Sequence, residues 1–263
     1  MIEALVTNIR VFLLVFFRII AMVEVAPLLS STTIPQIAKV GLSLFTAVAV
    51  FPGVLAQRYP IPASVVDYFL LALGEVAIGL LLGFLLLLVF SAFQVAGQFF
   101  SLQMGFGASE VFDPLAQVEI PLIGEFLNLV AMLVFIAISG MGKFLLVGVM
   151  RSFQTLRAVD LATNGGAIIQ VLIRGLGGLF QSALTISFPI LGTLLLVSIT
   201  MGLLAKASPQ MDVLTMGFPL SIGVSFLLLF AAMPFLMTAF GRMIDGGFET
   251  IGGLIAAMAR GAK

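Results

Sequence analysis

Apolar residues dominate the chain in six long stretches, which are separated by short polar or proline-containing links. The first stretch runs roughly from Leu5 to Ala26 and the second from Lys39 to Ala56. The third, from Val76 to Ser109, holds 34 residues without an ionised side chain. Because roughly 20 apolar residues suffice for a helix to span a bilayer, this pattern predicts membrane-crossing helices.

The later stretches are longer or less regular. The fourth covers roughly Ile123 to Met150, the fifth Ile168 to Ala205, and the sixth Val213 to Phe240. Since the fifth has 38 residues and contains Pro189, we expect it to bend or to form two helices. The tail from Gly241 to Lys263 alternates glycines, apolar residues and sparse charges, which is typical of an interfacial helix.

Prolines and glycines interrupt nearly every stretch, and we expect the second to break at Pro52. Irregular backbone at membrane depth must be buried in protein or line a water-filled cavity. The segments are therefore expected to pack against other chains or around a pore. The predicted fold class is an all-α polytopic membrane protein of interrupted helical hairpins, built to assemble into a helical multi-subunit channel.

Composition supports this class and excludes others. Hydrophobic residues make up 61% of the chain and charged residues 9%, whereas a soluble domain carries about 25% charged residues. The net charge is +0, so no basic field for nucleic acid is expected. With no cysteine and no histidine, disulfides, thiol nucleophiles, imidazole metal ligands and the usual general base are absent. We expect no enzyme activity, no cofactor and no metal.

Charged residues in the first stretch need a partner. At about 100° per residue, Glu3, Arg10 and Glu24 fall near one stripe of a helix, and Arg18 lies about 80° away. A helix facing lipid would not carry these charges cheaply. Two interpretations stay open: the charges pair with each other or extend to the interface, or they face a partner subunit or a wet cavity.

The third stretch begins with a charge and a small-residue face. Glu75 is interpreted either as a favourable charge at a helix N-terminus or as a polar contact within the membrane. Gly79 and Gly83 are four residues apart and therefore predict a surface for close helix packing, although such pairs are common in glycine-rich membrane chains.

Residues 104–121 break the apolar pattern with two early glycines, two prolines, three acids and two phenylalanines. A loop of this length and composition is more often functional than a plain connector. An ordinary connector outside the membrane is the alternative.

Three classes of protein remain at this point. Broken helices with sparse buried charges are typical of a secondary transporter, but no clear repeat of two halves is visible. An intramembrane enzyme needs a catalytic pair, yet all aspartates fall in predicted loops or segment ends, and Ser208 lies with Lys206 in a predicted turn. A subunit of a multi-protein pore explains the interrupted helices, the amphipathic loop and the methionines. The aspartates are Asp67, Asp113, Asp160, Asp212 and Asp245.

Several stretches together resemble the FliR family, a membrane subunit of the flagellar type III export gate with injectisome counterparts. They are residues 17–21 (FRIIA), 26–30 (APLLS), 34–35 (IP), 74–84 (GEVAIGLLLGF), 97–98 (GQ), 103–105 (QMG), 112–114 (FDP), 203–213 (LLAKASPQMDV) and 217–220 (GFPL). The family often has arginine where Lys206 stands and asparagine where Asp212 stands. The resemblance covers essentially the whole chain.

The resemblance implies one copy of this chain in a closed helical export channel with FliP and FliQ subunits, and with FlhB at the cytoplasmic side. Residues 1–175 then correspond to a FliP-like part, and residues 176–263 to a FliQ-like hairpin with a C-terminal tail. It further implies the bacterial inner membrane and the flagellar basal body as the location, and exported flagellar proteins as passengers. A secondary transporter for a small solute is the alternative function.

The resemblance also assigns roles to residues. The loop at 105–121 would plug the closed channel, because its glycines permit bending and its phenylalanines exclude water. The predicted plug residues are Met104, Gly105, Phe106, Gly107, Ala108, Ser109, Glu110, Val111, Phe112, Asp113 and Pro114. The predicted subunit contacts are Arg18, Glu75, Lys206, Pro209, Gln210, Asp212, Gly217 and Pro219.

Overall fold

The computed structural model describes residues 2–57, 59–62, 64–104, 122–156, 158, 165–207 and 213–261. Within these ranges the regular secondary structure is all helical, as the all-α prediction requires. The helices are α1 (Ile2–Val25), α2 (Gln36–Leu55), α3 (Val65–Met104), α4 (Leu122–Ala137), α5 (Gly140–Thr155), α6 (Gly165–Ala207) and α7 (Val213–Gly261).

The predicted break at Pro52 and the predicted division of the fifth stretch into two helices are wrong. Helix α2 continues through Pro52 to Leu55, and α6 is one uninterrupted helix of 43 residues that includes Pro189. The sixth stretch and the tail form a single helix, α7, of 49 residues, instead of a span followed by a separate interfacial helix. Proline is tolerated inside membrane helices because neighbouring groups satisfy the freed backbone, so sequence breakers alone do not end them.

The fourth stretch is the one that breaks. Helices α4 and α5 meet at a bend of 76°, where Ser139 takes a left-handed conformation with φ 57. In α5, residues Lys143–Gly148 form a π-helical segment between two α-helical parts. The bend lies at Ile138–Ser139, a position that carries no proline in the sequence.

Five helices of the described chain are long and apolar enough to cross a membrane, or six spans if the bent α4–α5 pair counts as one. Their share of buried residues differs strongly. In the most apolar window, 61% of α3 is buried inside the chain, but only 17% of α6 and 17% of α7. The fold is therefore that of a polytopic all-α membrane protein with much apolar surface left open.

The chain divides into two compact units. The first comprises residues 1–89, 135–176 and 244–263. In it α1 and α2 run antiparallel, since Glu24 pairs with Lys39 near one end and Phe12 meets Phe51 near the other. Helix α3 runs parallel to α1: Tyr68 bonds to Arg10 at one level, and Gly83 packs against Met22 further along both helices.

The second unit comprises residues 90–134 and 177–243. In it α3 and α4 cross antiparallel at Gly97 and Gly124, where a Cβ on Gly97 would lie 2.6 Å from the Gly124 nitrogen. The Gln94 amide donates to the Glu125 carboxylate at 2.7 Å beside this crossing. The aromatic rings of Phe93 and Phe240 meet with centroids 4.5 Å apart.

Candidate functional site

The most strongly polar site in the first unit is a buried cluster around Arg18 and Glu75, whose side chains are both 0% exposed. Arg18 Nε donates to Glu75 Oε2 at 2.5 Å, and the Tyr59 hydroxyl donates to Glu75 Oε1. Tyr59 lies in the link between α2 and α3. Its burial, reinforced by the negative charge of Glu75, raises the pKa of the Tyr59 phenol above its usual value.

The rest of the Arg18 guanidinium is satisfied by α5 and the residue that follows it. Nη1 donates to Ser152 Oγ at 2.9 Å, and Nη2 donates to the Leu156 carbonyl at 3.2 Å. The Phe153 ring lies 3.6 Å from the guanidinium carbon, in cation–π geometry. Since α5 ends at Thr155, Arg18 also places a positive charge at the negative end of that helix dipole.

The predicted subunit contacts at Arg18 and Glu75 stay predictions. Within the chain, both side chains are 0% exposed and find their partners in the same unit. Glu75 makes a polar contact within a helix; it is not at a helix start, because α3 begins at Val65. The sequence missed Tyr59 and Ser152, which lie 16 and 134 residues from their partners.

The small-residue face predicted at Gly79 and Gly83 is present and seats α3 on α1. A Cβ on Gly79 would meet the Arg18 carbonyl oxygen and would lie 2.9 Å from the Ala21 Cβ. A Cβ on Gly83 would lie 2.7 Å from the Met22 carbonyl oxygen. Glycine is required at both positions because the backbones approach so closely.

The Arg10 and Glu24 side chains of the first stretch find separate partners, and the Glu3 side chain is not among those that the structure describes. Glu24 pairs with Lys39 at 3.2 Å, and the Arg10 guanidinium lies 5.9 Å from the centre of the Tyr68 ring. Asp245, predicted at a segment end, lies inside α7 and pairs with Lys143 at 2.7 Å.

In the second unit, the outer face of α6 is apolar and open. It comprises Gln181, Thr185, Phe188, Gly192, Leu195 and Ile199, all of which are exposed. Their spacing alternates between four and three residues, which is the period of a helix–helix seam. A side chain added at Gly192 would meet no atom within 4 Å. Glycine, threonine and glutamine favour a helix over lipid at such a seam, because they allow close approach and interhelical hydrogen bonds.

The predicted plug lies between α3 and α4. Met104 is the last residue of α3 and is 1% exposed, while Gly105, Phe106, Gly107, Ala108, Ser109, Glu110, Val111, Phe112, Asp113 and Pro114 lie outside the described residues. The helices that flank this segment are the two that cross at Gly97 and Gly124. The plug assignment stays a prediction.

The other predicted subunit contacts lie around the link between α6 and α7. Lys206 is exposed in the last turn of α6. In α7, Pro219 is exposed and Gly217 is half-buried. Pro209, Gln210 and Asp212 lie outside the described residues. Contacts at these six positions remain predictions.

The described residues thus define the class of protein. It is a polytopic all-α membrane protein in which the buried charges of Arg18 and Glu75 neutralise each other and the outer face of α6 is exposed. A family model described as "Bacterial export proteins, family 1" matches residues 9–247, and the chain belongs to that family.

Among its relatives are proteins named flagellar biosynthetic protein FliR. The one from Bacillus subtilis (strain 168) is 32% identical over 249 residues, which cover 93% of this chain and 94% of the relative. The one from Escherichia coli (strain K12) is 27% identical over 243 residues, 92% of this chain and 91% of the relative. The one from Aquifex aeolicus (strain VF5) is 26% identical over 240 residues, 90% of each chain. The resemblance to the FliR family is confirmed.

Proposed function

We propose that this chain is a membrane subunit of the flagellar type III protein-export apparatus, in the bacterial inner membrane at the flagellar basal body. The observation that carries the proposal is its family match over residues 9–247, together with similarity to FliR proteins along nearly their whole length. No observation favours the alternative of a secondary transporter for a small solute.

In this proposal the chain assembles with FliP and FliQ subunits, and FlhB associates at the cytoplasmic side. Residues 1–175 act as the FliP-like part and residues 176–263 as the FliQ-like hairpin. The exposed seam of α6 supports such an assembly, because its period and its small and polar residues suit a neighbouring helix. Lys206, Pro209, Gln210, Asp212, Gly217 and Pro219 would add contacts near the turn of that hairpin.

The segment at 105–121 would close the channel, and its displacement would let an unfolded flagellar protein pass. The close crossing of α3 and α4 at Gly97 and Gly124 supports this role, because it holds the two helices that carry the segment at a fixed spacing. Passage of a chain through a pore requires no bond to be made or broken by this subunit. The energy would come from other components of the apparatus.

The test is to express the chain with FliP and FliQ and to capture the complex through a tag on this chain. Recovery of both partners is expected for the full chain and for a variant that lacks residues 106–112. Reconstituted in vesicles, the deletion variant should conduct ions while the full complex stays tight.

The outcomes separate the parts of the proposal. If the deletion variant assembles but its vesicles stay tight, the plug assignment is wrong. If the full chain recovers neither partner and instead takes up a small solute by itself, the export function is wrong and the transporter alternative holds.

A further inference from the structure

The buried residues of α5 do not follow the spacing of a regular α-helix. Counting back from the buried Val149, a regular α-helix would bury Leu145 and Leu146, which are four and three residues earlier. The observed buried pair is Phe144 and Leu145, while Leu146 is 46% exposed. The π-helical segment Lys143–Gly148 accounts for the difference, because a π turn absorbs one extra residue.

Both ends of α5 are anchored by other elements of the same unit. At the C-terminal end, Arg18 bonds to Ser152 and to the Leu156 carbonyl and stacks on Phe153. These contacts belong to a buried cluster whose ion pair is 0% exposed. The C-terminal anchor of α5 is therefore buried in the interior of its unit.

The N-terminal anchor of α5 is exposed and comes from α7. Lys143 bonds to Asp245 at 2.7 Å, with side chains 45% and 52% exposed. The Phe248 ring lies 6.4 Å from the Phe144 ring and stacks on Phe135. These contacts hold Lys143 and Phe144 in the rotated position that the extra residue makes possible.

The bend at Ser139, just before α5, can take up one residue if the helix that follows it shifts by one position. Ser139 already has φ 57, a left-handed conformation that is uncommon for residues other than glycine. If the π turn resolved into a regular α-helix, residues 140–146 would rotate by about 100° and shift one residue towards Ser139. Leu146 would then enter the buried face, and Lys143 and Phe144 would turn away from α7.

We propose that α5 is a two-state rotational switch: its π-helical segment stores one residue, and Asp245 and Phe248 of α7 hold it in the stored state. Release of these two α7 side chains resolves the π turn and rotates the first half of α5, while the Arg18 cluster keeps the second half fixed. This device is independent of the export function proposed above, since every element of it lies within one unit of this chain.

The test uses a spin label at Leu146→Cys, which is specific because the chain has no other cysteine. Collision with a relaxing agent reports whether the label is exposed. We expect an exposed label in the otherwise native chain. In the variant with Asp245→Asn and Phe248→Ala, the collision rate should fall several-fold. A label at Val147, which is 49% exposed, should stay exposed in both chains.

A chain from which Val147 is deleted provides the decisive control for the double α7 substitution. The deletion removes the stored residue, so a regular helix then keeps Phe144 and Leu145 buried and both anchors in place. In this background the double α7 substitution should no longer change the collision rate at Leu146. Deletion of Leu44, an equally exposed residue of α2 outside any π segment, should instead prevent folding, because it rotates the rest of that helix.

Two outcomes overturn the switch. An unchanged collision rate at Leu146 after the double α7 substitution shows that the π turn does not depend on α7. An equal fall with and without Val147 shows that the change is local unfolding and not a rotation. If the deletion variant does not fold, the comparison of Leu146 with Val147 in the full-length chain decides the matter alone. Exchange of both charges, Lys143→Asp with Asp245→Lys, in a chain that keeps Phe248 should leave the label at Leu146 exposed, because the ion pair is re-formed in reverse.

Discussion

The Arg18 cluster and the outer face of α6 differ in whether their side chains find partners within the chain. Arg18 is 0% exposed and finds an ion pair, two hydrogen bonds and an aromatic ring inside the chain. On α6, Phe188 is 73% exposed, and the most apolar window of that helix is only 17% buried. One region is chemically complete in the single chain, and the other is not.

The difference separates residues that stabilise the chain from residues that serve its surroundings. A buried charge must be neutralised where it lies, because burial of an unpaired ion is strongly unfavourable. An apolar surface can remain open in a monomer, because lipid solvates it until a protein helix replaces the lipid. In this chain the Arg18–Glu75 pair is therefore neutralised in the interior of its unit, whereas the outer face of α6 keeps its apolar side chains open.

The largest effect is expected from a substitution that breaks the buried Arg18–Glu75 ion pair. Arg18→Met leaves the Glu75 carboxylate buried without its ion pair and should destabilise the chain by about 3–5 kcal/mol. Adding Glu75→Met removes the unpaired charge and should restore most of the lost stability. Thermal unfolding of the purified chain in detergent measures both. A double variant as unstable as Arg18→Met alone would show that the charges are not a self-contained pair.

The second prediction compares a buried glycine, Gly79, with an exposed one, Gly192 on the outer face of α6. Gly79→Leu collides with the α1 backbone and should destabilise the chain by about 1–3 kcal/mol or more. Gly192→Leu meets no atom within 4 Å and should leave the unfolding temperature unchanged, yet lower the recovery of FliP and FliQ with the chain. If Gly192→Leu leaves that recovery intact, the seam of α6 faces lipid and not a partner.

The smallest effect concerns the Tyr59 hydroxyl. Because burial raises its pKa in the folded chain, the unfolded chain ionises first as the pH rises above about 10. The stabilisation is complete below that pH and is lost above it. Tyr59→Phe should cost about 1 kcal/mol at neutral pH and flatten the decline above pH 10. Unfolding temperatures of both chains across pH 8–11 test this, and parallel curves would contradict it.

The sequence predicts elements well where local patterns decide. The extent of α1, the proline-rich link before α3 and the glycine face at Gly79 and Gly83 follow from hydropathy and residue size. It predicts breaks badly, because Pro52 and Pro189 are accommodated inside helices whose length is set by packing and by lipid. The actual break at Ser139 has no proline; its local signal is the Ser139–Gly140 dipeptide, which lies inside an otherwise apolar stretch.

The partners within the Arg18–Glu75 cluster were also beyond what the sequence could predict. The sequence identifies Arg18 and Glu75 as charges that need partners, but it does not say which residues those partners are. Their pairing joins residues 57 positions apart, and Ser152 completes it from 134 positions away. Long-range contacts of this kind depend on how three helices meet, which hydropathy does not encode. The seam of α6 is visible only once the inward face of that helix is known.

Helix length has a consequence for how the protein is made. Helices α3, α6 and α7 have 40, 43 and 49 residues. At about 1.5 Å per residue each exceeds 55 Å, and even a 40° tilt fits only about 40 Å of helix into a bilayer core of about 30 Å. An insertion machinery that measures hydropathy therefore meets more apolar helix than the bilayer can hold. Biogenesis must provide a protein surface, or a chaperone, for the remainder before it reaches water.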